Sequence, residues 1–334
     1  MDRGRDRGKS LLVVHQGALG DIVLTFPTLS LLRERFGRID LICRGEVGKL
    51  AVHLGVADAA TTTESAAFAS LYGRPSDEII QRLRRHDAVL LFSFSEALKA
   101  AVQGIGPAWV VRLPPRPAPD APVHVAPWIL AEVKAAGLPA PGGPTEPPFF
   151  AGRSFEPNPA GPVVLHPGSG SPMKNWPLDR FLTVADRLSD AGRTIECLAG
   201  PAEEHLAETL GRSGFPVRTF TALTDLADWL AASAGFIGND SGVSHLAGYL
   251  GAPTVTVFGP SNPRQWRPWG PAVSVASPAE GFDCHPCFEK GNRDCDHRGC
   301  LSGISVDVVL ERMVEMAGVP ARREYRRAGR FFAV

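Results

Sequence analysis

Residues 235–260 read GFIGNDSGVSHLAGYLGAPTVTVFGP, and their pattern decides the fold. A short β-rich run, GFIG (235–238), gives way to the polar turn Asn239-Asp240-Ser241-Gly242. A helical pattern then runs from Val243 to Leu250, and Gly251 ends it before a second β-rich run, TVTVF (254–258). Strand, helix and strand in such close succession make a βαβ unit, with parallel strands and a right-handed crossover. Its strand-to-helix turn offers backbone N–H groups and the positive end of the helix dipole, which together attract anions. Asp240, Ser241 and Gly242 lie in that turn, and His245 lies about one turn into the helix, on the face that looks back at it. A helical histidine alone is an ordinary structural hydrogen-bonder. Beside an aspartate, a serine and exposed helix donors it reads as an anion ligand.

The alternation continues outward in both directions. VVLH (163–166) and TIECLAG (194–200) precede the stretch, while LLVVH (11–15), IDLIC (39–43), AVLLF (88–92) and WVVRL (109–113) repeat the pattern in the first half. Between them lie amphipathic segments such as LDRFLTVADRLSDAG (178–192). There Phe181, Val184, Ala185 and Leu188 share one face and Gly192 supplies a cap. The expected class is α/β, with two Rossmann-like, doubly wound parallel sheets facing a central cleft and ligands held beyond the carboxyl ends of the strands. The chain has 30 prolines, and PPRPAPDAP (114–122), PAPGGPTEPP (139–148) and PNPAGP (157–162) crowd one region. Proline blocks both helix continuation and central strands, so this region reads as an interdomain connection. The expected domains are 1–155 and 156–334, with the last helix able to pack back on the first.

Three further loops carry candidate chemistry. After VVLH comes Gly168-Ser169-Gly170, whose backbone donors can cradle phosphate, and Lys174 follows with an ammonium suited to a diphosphate. The G-K-[ST] order of a Walker A loop is missing. Glu203, just past TIECLAG, stands where a carboxylate can bind ribose hydroxyls, while Glu204 reads as a helix-starting acid. After LLVVH, Gly17 and Gly20 bracket the turn Gln16–Asp21 with G-x-x-G spacing, looser than the dinucleotide fingerprint and without its ribose acid. Asp21 opens the next helix, either as a first-turn cap or as a general base. Pro27 within that helical pattern implies a kink or a late helix start.

Composition narrows the classes. Hydrophobic residues make up 44% and charged residues 21%, as in a globular domain, and 35 basic residues balance 35 acidic ones. That balance argues against nucleic acid as a partner held by bulk charge. No run of about 18 apolar residues marks a membrane span, and the run after MDRGRDRGKS is too short for a signal peptide, so the expected address is cytoplasmic. RREYRRAGRFFAV (322–334) carries five arginines with three aromatics. It reads as a solvated chain end or as a peripheral contact with the inner membrane surface. Of six cysteines, Cys284, Cys287, Cys295 and Cys300 share one segment. Reduced thiols, a structural zinc and a disulfide all remain open for them, whereas Cys43 and Cys197 read as core residues.

Five segments in this order carry a family resemblance: GALGDIVLTFPTL (17–29), HPGSGSPMKNWP (166–177), GPAEE (200–204), GNDSGVSHLAGYLGAPTVTVFGP (238–260) and CHPCFEKGNRDCDHRGCL (284–301). Together they resemble glycosyltransferase family 9, the ADP-heptose:lipopolysaccharide heptosyltransferases. The resemblance implies a GT-B fold, with the acceptor on the first domain and the nucleotide-sugar donor mainly on the second. It implies Asp21 as the catalytic aspartate, Lys174 and His245 as diphosphate contacts and Glu203 as the ribose contact. Asp240, Ser241 and Gly242 match the donor-sugar and phosphate loop. The implied reaction is an inverting transfer of heptose from ADP-heptose to a lipopolysaccharide core or other glycan acceptor, with no metal or cofactor. His15 and Gln16 depart from the family pattern, in which an arginine and a variable residue are expected, so the acceptor's identity stays open. Arg44, Lys49 and Arg112 suit acceptor phosphates or plain surface charge. Two other readings compete: a noncatalytic sugar-nucleotide binder, and a sugar-nucleotide 2-epimerase on the same architecture.

Overall fold

Continuous apolar runs become the inner strands of two parallel sheets. The computed structural model describes residues 8–139, 158–200, 203–278, 284, 286–288, 291, 295 and 298–317. The chain divides into two units, Met1–Ser154 with Ala222–Asp225, and Phe155–Thr221 with Leu226–Val334. In the first unit β1 is Ser10–His15, β2 Arg38–Cys43, β3 Ala59–Thr62, β4 Ala88–Phe92 and β5 Trp109–Leu113. In the second, β6 is Val163–His166, β7 Ile195–Leu198, β8 Val217–Arg218, β9 Gly235–Asn239, β10 Thr254–Val257 and β11 Val273–Ala276. The first sheet is ordered β3-β2-β1-β4-β5 and the second β11-β10-β9-β6-β7-β8. Both orders are doubly wound, and each sheet reverses its direction of growth at one place: between β1 and β4, and between β6 and β9. Crevices open at such switch points, beyond the carboxyl ends of the strands.

The inner strands are legible because both of their faces are covered. Leu11, Leu12, Val13 and Val14 of β1 are all at most 2% exposed. Leu12 and Val14 pack with Ile79 and Leu83 of the helix Asp77–Arg84 and with Leu98 and Val102 of the helix Glu96–Ile105. In the second unit Val163 and Leu165 of β6 join Phe181, Val184, Ala185 and Leu188, the apolar face expected of the helix Leu178–Asp190. Each such side chain contributes about 2–3 kcal/mol by leaving water. Gly192 ends that helix with a φ of 81°, a left-handed conformation that costs other residues energy. The last described helix, Val306–Ala317, sends Val309, Leu310 and Met313 into the same core.

Pro27 breaks the first helical pattern in two. A five-residue helix, Leu19–Val23, is followed by Phe26–Leu32, with Pro27 in the opening turn of the second. There proline's missing N–H costs nothing. The edge strands β3, β8 and β11 have no counterpart in the sequence reading. AATT, VR and VSVA are too short or too half-exposed to form an apolar run. Among the described residues no helix is long and apolar enough to cross a membrane. The proline-rich stretch 140–157 and the arginine-rich stretch 322–334 lie outside the described residues.

Candidate functional site

The second unit gathers its polar residues at the switch point between β6 and β9. Asn239, the last residue of β9 and fully buried, stitches the two loops together. Its Nδ2 donates to the Pro167 carbonyl at 2.8 Å, and its Oδ1 accepts from the Trp176 backbone N–H at 2.9 Å. Trp176, itself buried, donates its ring N–H to the Ile304 carbonyl at 3.1 Å. The loop carrying Ser169 and Lys174 is therefore anchored at both ends against β9. Ser169 Oγ lies 2.6 Å from Asn175 Oδ1 and 2.7 Å from the Ser171 carbonyl, which closes the loop on itself.

Lys174 and Asp240 are brought into direct contact, with Nζ 2.7 Å from Oδ2. Ser261, a residue the sequence reading passes over, donates its hydroxyl to the same oxygen. His245 Nε2 lies 3.9 Å from Asp240 Oδ1. A buried carboxylate is stable only when paired and hydrogen-bonded, and Asp240 meets both conditions. An ammonium has three donors, so one bond to Asp240 leaves Lys174 two for an incoming anion. Its Nζ also stands 5.7 Å from the centre of the Phe288 ring, in cation–π range. Ser241 caps the helix Gly242–Tyr249 by accepting the Ser244 N–H at 3.2 Å. Its hydroxyl is thus committed to the helix, and the first helical N–H groups, at Gly242 and Val243, are the donors this terminus offers.

Glu203 is held inward. It is 4% exposed, accepts the Gly200 N–H at 2.8 Å and lies 3.7 Å from His166 Nε2. Gly168 leaves room for it: a Cβ there would fall 1.8 Å from Glu203 Oε1. The carboxylate therefore braces the glycine loop from beneath. His166 Nδ1 is buried with no partner among the described residues.

In the first unit, the turn after β1 is built around Gly17. A Cβ on Gly17 would lie 2.6 Å from His15 Cε1 and 2.8 Å from Asp21 Cβ, so only glycine lets the two side chains close over it. Asp21 Oδ2 accepts the Ala18 N–H at 3.0 Å, which makes Asp21 a first-turn cap. The same bond fixes one carboxylate oxygen and leaves Oδ1 without a hydrogen bond among the described residues. Cap and base are thus compatible roles for one side chain. His15, 1% exposed, accepts the Gly17 N–H on Nδ1 at 3.0 Å and packs its ring 4.8 Å from that of Phe92. Burial lowers its pKa from 6.5 to about 4, against the opposing pull of the Asp21 charge. Arg112 donates to the Ser93 carbonyl and pairs with Glu96, and Lys49 pairs with Glu46.

Cys43 and Cys197 are buried in the two sheets, and burial raises their thiols to about 12 and about 11. Cys287 and Cys300 are buried, Cys295 is half-buried and Cys284 exposed. Among the described residues, no group of three or more His, Cys, Asp or Glu is arranged to hold a metal ion.

Residues 136–296, which include all of these second-unit loops, match the family model of glycosyltransferase family 9 (heptosyltransferase). Over that stretch the chain is similar to glycosyltransferase family 9. The chain is 31% identical over 133 residues to lipopolysaccharide heptosyltransferase 1 of Pseudomonas aeruginosa, covering 38% of the chain and 36% of that relative. It is 24% identical over 154 residues to lipooligosaccharide heptosyltransferase 2 of Haemophilus influenzae, covering 43% of the chain and 44% of that relative. The matched stretches thus span less than half the length of these curated relatives. The solved E. coli ADP-heptose lps heptosyltransferase II superposes with a TM-score of 0.71 at 18% identity, over 92% of this chain and 98% of that one. The likeness establishes the fold: the chain has the two Rossmann-like units of the GT-B kind.

Proposed function

We propose that the chain is an inverting glycosyltransferase that moves a heptose from ADP-heptose to a hydroxyl of a lipopolysaccharide core. The observation that carries this reading is the Lys174–Asp240 pair at the second switch point, within the residues that match the family. The names of its relatives supply the sugar and the acceptor class. In this reading the second unit holds the nucleotide sugar and the first unit the acceptor.

Asp21 takes the proton from the acceptor hydroxyl as that oxygen attacks the anomeric carbon of the donor. The bond from that carbon to the diphosphate oxygen breaks with inversion, and its electron pair leaves on ADP. Lys174, with its two remaining donors, His245 and the N–H groups at Gly242 and Val243 oppose the charge that develops on the diphosphate. Asp240 aims Lys174, and Glu203 meets the ribose after turning from the Gly200 N–H. Such a transferase works in the cytoplasm, at the face of the membrane where its lipid-linked acceptor is displayed.

Calorimetric binding of ADP, UDP, GDP and CDP to the full chain tests the donor half of this reading. Selection of ADP, weakened about tenfold or more by Lys174→Ala, is expected. Equal affinity for all four nucleotides, or ADP binding untouched by Lys174→Ala, contradicts it.

A further inference from the structure

Phe94 and Tyr72 are the most exposed large hydrophobic side chains among the described residues, at 62% and 59%. An aromatic ring left in water forgoes roughly 2–3 kcal/mol of burial, so the location of such rings is informative. Both rise from the carboxyl edge of the first sheet. β1 and β4 are neighbours, with His15 opposite Phe92, so the loops that follow them leave the sheet side by side at its switch point. Phe94 is the second residue past β4, just as Gly17 is the second past β1.

Tyr72 reaches the same loop from the other side of the sheet order. It ends the short turn Ser70–Tyr72, which follows β3 and the helix Ala66–Ala69. Gln16 Nε2 donates to Tyr72 Oη at 3.0 Å, and Oη also lies 3.3 Å from Gln16 Oε1. The buried Phe68 ring meets Tyr72 edge-on at 6.1 Å and fixes its plane. On the other flank, the Arg116 guanidinium stands 5.9 Å from the centre of the Phe94 ring. Tyr72 is therefore tied by hydrogen bonds to the turn that bears Asp21, and Phe94 stands on the neighbouring loop, placed there by strand register.

We propose that Tyr72 and Phe94 form the acceptor-sugar platform of the first unit, stacking the C–H face of a glycan ring beside the Asp21 turn. The electron-rich face of an aromatic ring attracts the polarised C–H bonds of a sugar, and stacking leaves the sugar hydroxyls pointing outward. Arg116, beside Phe94, suits an anionic substituent on the same glycan. Two separated rings amid polar loops are too small for a protein interface, which needs about 800 Å² on each partner. A sugar ring fits their scale. The proposal rests on the glycosyl-transfer reading above and extends it to the acceptor.

The test is titration of a deacylated lipopolysaccharide core oligosaccharide into the full chain by calorimetry, with ADP titrated into the same samples. Phe94→Ala and Tyr72→Ala are each expected to weaken oligosaccharide binding about tenfold. ADP binding stays within twofold, and the melting temperature stays within about 2 °C because both rings are exposed. Phe94→Trp and Tyr72→Phe, which keep a ring, are expected to bind within about threefold of the parent. Oligosaccharide binding unchanged in both alanine variants overturns the platform, as does the absence of saturable binding to the parent chain. ADP affinity reports separately on the donor reading. Parent and variants that bind ADP alike and the oligosaccharide alike overturn the platform alone; a parent that fails to bind ADP overturns the donor reading alone.

Discussion

Acid is expected to weaken the first unit through His15. Its Nδ1 accepts the Gly17 N–H, so the ring proton sits on Nε2, which is buried with no acceptor among the described residues. A second proton would turn Nδ1 into a donor facing another donor and would bury a charge. Burial therefore lowers the pKa to about 4, while the nearby Asp21 charge pulls the other way and only in part. The sign follows directly. Between about pH 6.5 and pH 4 the unfolded chain takes up a proton that the folded chain refuses, so stability is full above that window and falls as pH drops through it. From about pH 7 to pH 5 the loss amounts to about 2 kcal/mol. His15→Gln keeps an acceptor for Gly17 but does not titrate. The assay is hydrogen exchange at β1 and β4 under mild urea, at both pH values, for parent and variant; local exchange is used because the two units need not unfold together. The difference between the two proteins' pH effects cancels the groups that His15 does not touch. The parent is expected to lose about 2 kcal/mol more than the variant, and parallel losses would refute the argument.

Two further outcomes follow from packing. Gly168→Ala places a Cβ 1.8 Å from Glu203 Oε1, so the carboxylate must leave its seat on the Gly200 N–H. The expected cost is about 1–3 kcal/mol of stability together with altered ADP affinity, read by thermal melting and calorimetry; an unchanged melt and unchanged affinity would contradict the bracing role. Cys284 is exposed, whereas burial holds the Cys43 and Cys197 thiols near 12 and 11. Alkylation near pH 8, mapped by peptide mass spectrometry, is expected to label Cys284 rapidly and the other two only after denaturation. Labelling of Cys43 at the rate of Cys284 would contradict the buried placement.

Much of the fold was legible because a parallel strand buried on both faces has to be an apolar run, as AVLLF and VVLH are. AATT and VR were not, because neither is long or apolar enough to make a run, whereas WVVRL, also at an edge, is. The polar turn after β9 was legible for a related reason: Asp240, Ser241, Gly242 and His245 are close in sequence, so their chemistry is visible without a fold. What Asp240 touches was not. Lys174 lies 66 residues away and Ser261 lies 21 away, and only the sheet order brings them together. His15 departs from the pattern of the family the chain resembles, but its burial and its bond to Gly17 required the turn itself. Tyr72 and Phe94 drew no notice in the sequence, since a lone aromatic is ordinarily core; their exposure is the signal, and exposure is a property of the folded chain.

Glycosyl transfer with Asp21 as the base is tested by one comparison. Transfer from ADP-heptose to a lipopolysaccharide core acceptor is measured for the parent and for Asp21→Asn, alongside ADP affinity. Asparagine keeps an oxygen for the Ala18 N–H, so the turn is expected to stay folded and ADP to bind within twofold. The parent is expected to turn over and the variant's kcat to fall about 100-fold or more. A variant that binds ADP and turns over at the parent rate would contradict that role for Asp21.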